Sequence, residues 1–400
     1  MSAGRFSARS DAIAARPGGG WALHYRAAAL AAAGADVILL SVGDHDLPCA
    51  PEVRAAARAA LEDGPLGYVA VAGRPELRAA AAAHAGALAG ARGWPAAEQV
   101  VAATGAQGAL YGVLQAILDP GDAVLAADPY YVTYAETAAA AGARLETAPT
   151  RAEDGFRVRA AALEAALTPA TRALLLNTPG NPTGAQISAA DWREILDLAA
   201  ARDLWVISDE VYADLTYEAA HASLLAQLAP GAAHADFTRW AVLGGVSKGF
   251  CMTGWRVGWS VTPVDLAERL AALGVCLHYG LPGLTQAGAV AALARADEIT
   301  SALRARYRAR RDLFCDALAG APGLRVLRPP AGMFVMLDAR AAGLGSEALA
   351  GRLLDEAGVA LMPGASFGAA AEGTLRASLA APPERLGEAA ARIARLMRAL

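Results

Sequence analysis

The chain has 400 residues, 55% of them hydrophobic, enough to bury one large core and a second smaller one, so two domains are expected. A formal net charge of −4 is small for this length and argues against broad electrostatic attraction to nucleic acid or an anionic membrane, leaving small molecules as the expected partners. Apolar runs stay short of the roughly 18–20 residues a membrane-spanning helix needs, and Cys49, Cys251, Cys276 and Cys315 lie far apart without metal-ligand spacing, which points to a reducing, cytoplasmic setting.

The first twenty residues are rich in Ser, Ala, Arg and Gly without a continuous apolar stretch, which predicts a loose arm and not a secretory signal; an arginine-bearing transit peptide is the alternative. Short β-branched or leucine-rich runs at 37–40, 99–102, 123–126, 173–176, 204–207 and 240–243 then alternate with longer alanine-rich segments. That alternation predicts an α/β fold with a mainly parallel central sheet. A helix is expected over 301–319, with Leu303, Tyr307, Phe314 and Leu318 at helical spacing. Arg304, Arg306, Arg308, Arg310 and Arg311 cannot all share one helix face and are expected to be solvated. A strand at 332–337 follows. The expected organisation is an N-terminal arm and part of a small domain over 1–50, a large domain over 51–295, and the C-terminal part of the small domain over 296–400.

In open α/β sheets ligands collect beyond the carboxyl ends of the strands, and four such junctions carry chemistry. Thr104-Gly105-Ala106-Gln107-Gly108 joins a strand to a helix, whose first amides suit a phosphate. In Asn177-Thr178-Pro179-Gly180-Asn181-Pro182-Thr183-Gly184, Asn181 is kept out of a helix by the proline after it, leaving its amide free to point at a ligand. Asp209 begins Asp209-Glu210-Val211-Tyr212 at a strand end, where a buried carboxylate needs a cationic or donor partner; Tyr212 lies on the same side if the segment turns helically. The run from Ser247-Lys248 to Arg256-Val257-Gly258-Trp259 places a lysine and an arginine around a glycine-containing loop, with Lys248 suited to Schiff-base chemistry and Arg256 to a phosphate. Taken singly, these have plain readings as a strand-to-helix turn, a loop, a helix cap and a surface Lys–Arg pair.

Together and in this order the four segments resemble fold-type I pyridoxal 5′-phosphate (PLP) enzymes, specifically the aspartate-aminotransferase-like class I/II aminotransferases. Leu40-Ser41-Val42-Gly43-Asp44, Leu66-Gly67-Tyr68, Asp128-Pro129-Tyr130-Tyr131-Val132-Thr133-Tyr134, Pro363-Gly364-Ala365-Ser366-Phe367-Gly368 and Leu375-Arg376-Ala377-Ser378 extend the resemblance over nearly the whole chain. The resemblance implies a homodimer with shared active sites. It also implies that Lys248 holds PLP as a Schiff base and carries the proton, and that Asp209 holds the pyridinium. Tyr212 and Asn181 would contact the ring hydroxyl and Tyr131 would stack on the ring. Arg256, Ser247 and the amides of Ala106 and Gln107 would bind phosphate, with Tyr68 reaching the phosphate of the neighbouring subunit. Arg376 and the backbone of Gly43 would receive the substrate α-carboxylate, and Asn181 borders the same space.

Two departures stand out. Gly245 occupies a position where the family often has a serine that binds phosphate, and Tyr279-Gly280 lies where many relatives have a polar residue reaching the partner's phosphate. Within the family, Trp21-Ala22-Leu23-His24-Tyr25-Arg26-Ala27, Cys276-Leu277-His278-Tyr279-Gly280 and Gly332-Met333-Phe334-Val335-Met336 resemble arginine–pyruvate aminotransferases, with Asp44 and Asp46 as acidic residues in the early loop. Aspartate, alanine or aromatic donors are the next expectation. A PLP-dependent lyase, decarboxylase or oxidase follows, then a PLP-fold effector module, which would need an attached DNA-binding domain.

Overall fold

The computed structural model describes residues 6–14, 20–63 and 66–400. In chain order the strands are β1 (Ile38–Leu39), β2 (Val100–Thr104), β3 (Ala123–Asp128), β4 (Arg144–Pro149), β5 (Thr171–Asn177), β6 (Trp205–Asp209), β7 (Trp240–Gly245), β8 (Val257–Val261), β9 (Arg325–Leu327), β10 (Phe334–Asp338), β11 (Val359–Ala360), β12 (Met362–Pro363) and β13 (Thr374–Ser378). β2 to β8 form a seven-stranded sheet in the order β2-β8-β7-β6-β5-β3-β4. All its pairings are parallel except those of β8, which runs antiparallel to both β2 and β7. The expected α/β fold with a mainly parallel sheet is therefore observed.

Strands covered by helices on both faces are buried on both, which is why their sequences read as near-continuous apolar runs. Alternate residues go to opposite layers. Leu174, Leu176, Val206 and Val242 enter one core, while Leu175, Ile207, Ala241 and Leu243 enter another on the opposite face. This double anchoring fixes the register of the central strands, and the register brings Asn177 opposite Asp209 at their carboxyl ends.

A second core is drawn from both ends of the chain. It joins Ile38 and Leu40 to Leu303, Tyr307, Phe314, Val335, Leu353 and Ile393. β1 pairs in parallel with β11, so the early segment is tied to the C-terminal part by backbone hydrogen bonds. An antiparallel sheet β12-β13-β10-β9 places Arg376 opposite both Met336 and Met362, in the middle of its strand and 3% exposed.

Two expectations are corrected. The first twenty residues are not a uniform loose arm: Ala8–Ala14 is helical, and Arg9 donates to the carbonyl of Ala140, although residues 1–5 and 15–19 lie outside the described residues. The arginine run on the helix Ala296–Leu318 is not wholly solvated. Arg310 and Arg311 are buried, the first paired with Asp46 and the second with Glu218 and the Pro329 carbonyl. A buried guanidinium persists only where such acceptors meet it. Among the described residues, no helix is long and apolar enough to cross a membrane.

Candidate active site

The carboxyl ends of β2, β5, β6 and β7 converge on a cavity of about 160 Å³. Ala106, Gln107, Tyr131, Asn181, Asp209, Tyr212, Ser247, Lys248 and Arg256 all line it, together with Asn177, Gly245 and Thr253. Nine of the twelve residues expected at the site are thus wall residues. Gly43 and Arg376 join them through hydrogen bonds. Tyr68 does not: it is 89% exposed, outside the cavity lining, with its ring centroid 4.9 Å from that of Tyr279.

Asp209 sits at the floor. Burial pushes its carboxyl up to about 6, against the opposing pull of a 2.6 Å hydrogen bond from the Tyr134 hydroxyl and a 3.3 Å bond from the Val211 amide. Both donors are neutral, so the carboxylate has no countercharge from the described residues among its hydrogen-bond partners. Asn177 fixes the backbone around it, donating to the Asp209 carbonyl at 2.8 Å while accepting from the Asn181 amide at 2.6 Å. The Asn181 side chain donates in turn to the Tyr212 hydroxyl at 3.2 Å.

Lys248 stands across the cavity, its Nζ donating to the Gly43 carbonyl at 2.7 Å. Burial lowers its ammonium to about 8; Asp44 opposes the shift, and the charges of Arg376 and Arg256 add to it. An amine so placed is neutral far more often than an ordinary lysine, as a nucleophile or base requires. The chain's 35 basic residues include only one lysine, and it is Lys248.

At the cavity's other end the helix Gly105–Ile117 begins directly after β2. Gly105 takes a left-handed φ of 74°, and a Cβ there would strike the Arg256 guanidinium. The turn therefore lies against Arg256, which donates to the Thr253 carbonyl at 2.7 Å and reaches the Ser247 hydroxyl at 3.5 Å. The Gln107 side chain accepts from the Thr133 hydroxyl at 3.0 Å and donates to that of Thr137 at 2.6 Å. Helix-start amides, a hydroxyl and a guanidinium make a chemically fitting cradle for a phosphate. At Gly245 a Cβ would come within 3.1 Å of Gly258 Cα and the Val257 carbonyl, so the close pairing of β7 with β8 leaves a serine there little room.

Arg376 closes the site on the side of the second core. It donates to Asn181 Oδ1 at 2.9 Å and to the Ser41 carbonyl at 2.5 Å, and its guanidinium lies over the rings of Phe334 and Phe367 at 4.1 and 4.6 Å. Its Nε is buried with no hydrogen-bond partner among the described residues. Burial lowers its value to about 10, with Tyr212 and Tyr131 acting the other way. A buried, incompletely satisfied guanidinium calls for a carboxylate.

The family model for aminotransferase class I and II matches residues 35–393. The chain belongs to the class I and II aminotransferases. It is 44% identical over 390 residues to an arginine–pyruvate transaminase of Pseudomonas aeruginosa, covering 98% of this chain and 97% of that one. An aspartate/prephenate aminotransferase of Thermus thermophilus is 34% identical over 387 residues, with 96% and 97% covered. Among solved structures, the aspartate aminotransferase of Thermus thermophilus with maleate superposes with a TM-score of 0.90 at 33% identity, covering 98% of this chain and all of that one. An aromatic aminotransferase of Pyrococcus horikoshii gives 0.85 at 34% identity, covering 91% and 96%.

Three residues of this aminotransferase's site were missed in the sequence. Tyr134 lies three positions after Tyr131, at the start of the helix Tyr134–Ala140, a spacing that returns a side chain to the same face. Asn177 opens the very run that contains Asn181, and Ser41 sits two residues before Gly43. The solitary lysine was also a signal available from composition alone.

Proposed function

We propose that this aminotransferase uses PLP to move the amino group of an L-amino acid, arginine in the leading reading, to a 2-oxo acid such as pyruvate. The observation that carries the cofactor assignment is the pairing of a buried carboxylate lacking a countercharge, Asp209, with a half-buried lysine of lowered proton affinity, Lys248, in the wall of one cavity. PLP, when bound, supplies a protonated ring that accepts the electrons left behind when an amino acid's α-proton departs.

Every other requirement falls to the chain. Asp209 supplies the negative charge that keeps a ring nitrogen protonated, with Tyr134 and Asn177 orienting it. Tyr212 and Asn181 offer an adjoining hydroxyl and amide, and Tyr131 a ring face. Ser247, Arg256 and the amides of Ala106 and Gln107, all in the cavity wall, would hold the cofactor's phosphate. Arg376 binds the α-carboxylate by its guanidinium fork, with Gly43 beside it, and so orients the α-proton toward Lys248 Nζ. Lys248 takes that proton as general base and returns it as acid.

The arginine reading rests on the 44% identity to the Pseudomonas aeruginosa enzyme. Asp46 is held by two hydrogen bonds from Arg310 at 2.7 and 2.8 Å, whereas exposed Asp44 accepts from Thr253 at 2.6 Å and keeps an oxygen for a guanidinium. The commitment of Asp46 also favours a second reading, an aspartate or other 2-oxo-acid aminotransferase, because one rim carboxylate is a sparse guanidinium site. We assign residues 51–295 to a large domain and 1–50 with 296–400 to a small one. The enzyme works as a cytoplasmic homodimer in which exposed Tyr68 reaches the phosphate of a second copy; its exposure and the four free cysteines support this.

The test is a screen of amino donors against the cofactor-loaded enzyme, followed by the absorbance change on amino transfer. Rapid conversion by arginine but not aspartate or phenylalanine is expected. Conversion by aspartate alone would move the assignment to the second reading.

A further inference from the structure

His45 lies two residues beyond Gly43, whose carbonyl holds Lys248, yet the proposed chemistry gives it no part. Its Nδ1 is 2.9 Å from the Tyr307 hydroxyl on the helix Ala296–Leu318. Arg310, one turn further along that helix, lies over the Tyr307 ring at 5.5 Å and returns to the His45 loop by its pair with Asp46. Two side-chain pairs, His45 with Tyr307 and Asp46 with Arg310, thus clamp the loop 43–46 to the helix. The remaining ring nitrogen, Nε2, is buried and makes no well-formed hydrogen bond among the described residues, although the Ser247 backbone is already close enough to the imidazole to raise its proton affinity.

A neutral imidazole has one donor and one acceptor nitrogen. Arg310 bonds the Tyr307 oxygen, so we assign the hydroxyl as donor to Nδ1, which puts the imidazole proton on Nε2, the nitrogen left for the Ser247 carbonyl. The groups facing the ring are Asp44 and Asp46 on its own loop, Lys248 on the segment after β7, and Tyr307 and Arg310 on the helix. Burial and the Lys248 charge hold its value down to about 4, so it stays neutral over the range in which Lys248 titrates.

We propose that His45 is a positioning residue for Lys248: anchored by Tyr307, its Nε2–H takes the Ser247 carbonyl as partner when Lys248 leaves the Gly43 carbonyl. A buried donor without a partner is disfavoured, and movement of the peptide preceding the lysine supplies one. The helix that carries Tyr307 and the segment that carries Lys248 are thereby coupled, and the lysine is kept in its half-buried, readily deprotonated setting.

Because Lys248 is the sole lysine, an amine-selective acylating reagent on the full-length chain freed of cofactor reports one ε-amine, with the α-amine resolved by peptide mass. Its reaction midpoint is expected at a pH of about 8, where partial burial and the neighbouring arginines place the ammonium. His45→Phe and Tyr307→Phe should each raise that midpoint by at least about half a unit, and the double variant should go no further than the larger single shift. His45→Gln, which retains an amide donor, should restore part of the change. Cys315→Ala, buried on the same helix but outside the clamp, should leave the midpoint in place and so separates positioning from general loosening. An unchanged midpoint in a folded His45→Phe protein, or a shift in His45→Phe with none in Tyr307→Phe, overturns the proposal. The measurement contains no cofactor and stands apart from the PLP assignment.

Discussion

The Tyr134 hydroxyl donates to Asp209 Oδ2 at 2.6 Å, and both side chains are buried beneath the cavity. This bond supports the charged form of the carboxylate, which on the proposed function Asp209 would present to a ring nitrogen. Hydrogen bonds to charged groups are worth about 1.5–3 kcal/mol. Tyr134→Phe should therefore weaken cofactor binding by roughly 10- to 100-fold, measured by fluorescence titration of the cofactor-free protein, with the cavity otherwise intact.

Asp209 also makes stability depend on pH. Its value in the folded protein, about 6, lies above the ordinary 3.8, so the folded state holds this proton more tightly than the unfolded chain. The contribution is fully present below the unfolded value and is lost as pH rises through about 6, an amount of about 3 kcal/mol. Thermal melts of the cofactor-free protein should show a lower Tm at about pH 8 than this one group would give at about pH 4.5. Asp209→Asn should flatten that trend and melt above the parent at the higher pH while losing nearly all turnover, the exchange of stability for function expected of an active-site charge.

Arg376 is the residue for which geometry matters more than charge. Lysine keeps the charge but cannot reproduce the fork that binds Asn181 and Ser41 and leaves Nε for a carboxylate. Arg376→Lys should raise KM for the amino donor and the oxo-acid acceptor together, by about 10- to 100-fold, because both carry the same carboxylate. Steady-state kinetics with each substrate varied in turn checks this; a change for one substrate only would remove Arg376 from that role.

Asp44 should separate arginine from other donors. Its carboxylate is exposed at the rim and meets Thr253 with one oxygen. Asp44→Asn is expected to raise KM for arginine about tenfold while altering KM for alanine little, since a partly solvated charge pair contributes of the order of 1 kcal/mol.

Much of this site was legible because its residues sit at strand ends, where short apolar runs break into polar ones. β5, β6 and β7 announce themselves in this way, and Asn181, Asp209 and Lys248 follow directly. β4 escaped because it is an edge strand: mostly exposed or half-buried, it lacks the apolar run that marks its neighbours. β8 escaped because Val257-Gly258-Trp259-Ser260 reads as the tail of the lysine loop and shows its strand character only when paired on both sides. Tertiary pairing hid the rest. Arg310 looks solvated until Asp46, from the far end of the chain, meets it, and nothing in the sequence gives Tyr134 a role until β6 delivers Asp209 to its hydroxyl.

The central claim is that Lys248 forms the covalent link to the cofactor. The protein loaded with PLP and treated with borohydride should carry one reduced adduct per chain, and peptide mass mapping should place it on Lys248, the chain's single ε-amine. Lys248→Arg should abolish both the adduct and the visible absorbance of the loaded enzyme, with turnover falling at least about a thousandfold. An adduct confined to the N-terminal amine, or a Lys248→Arg protein that still transfers amino groups at the parental rate, would contradict the account.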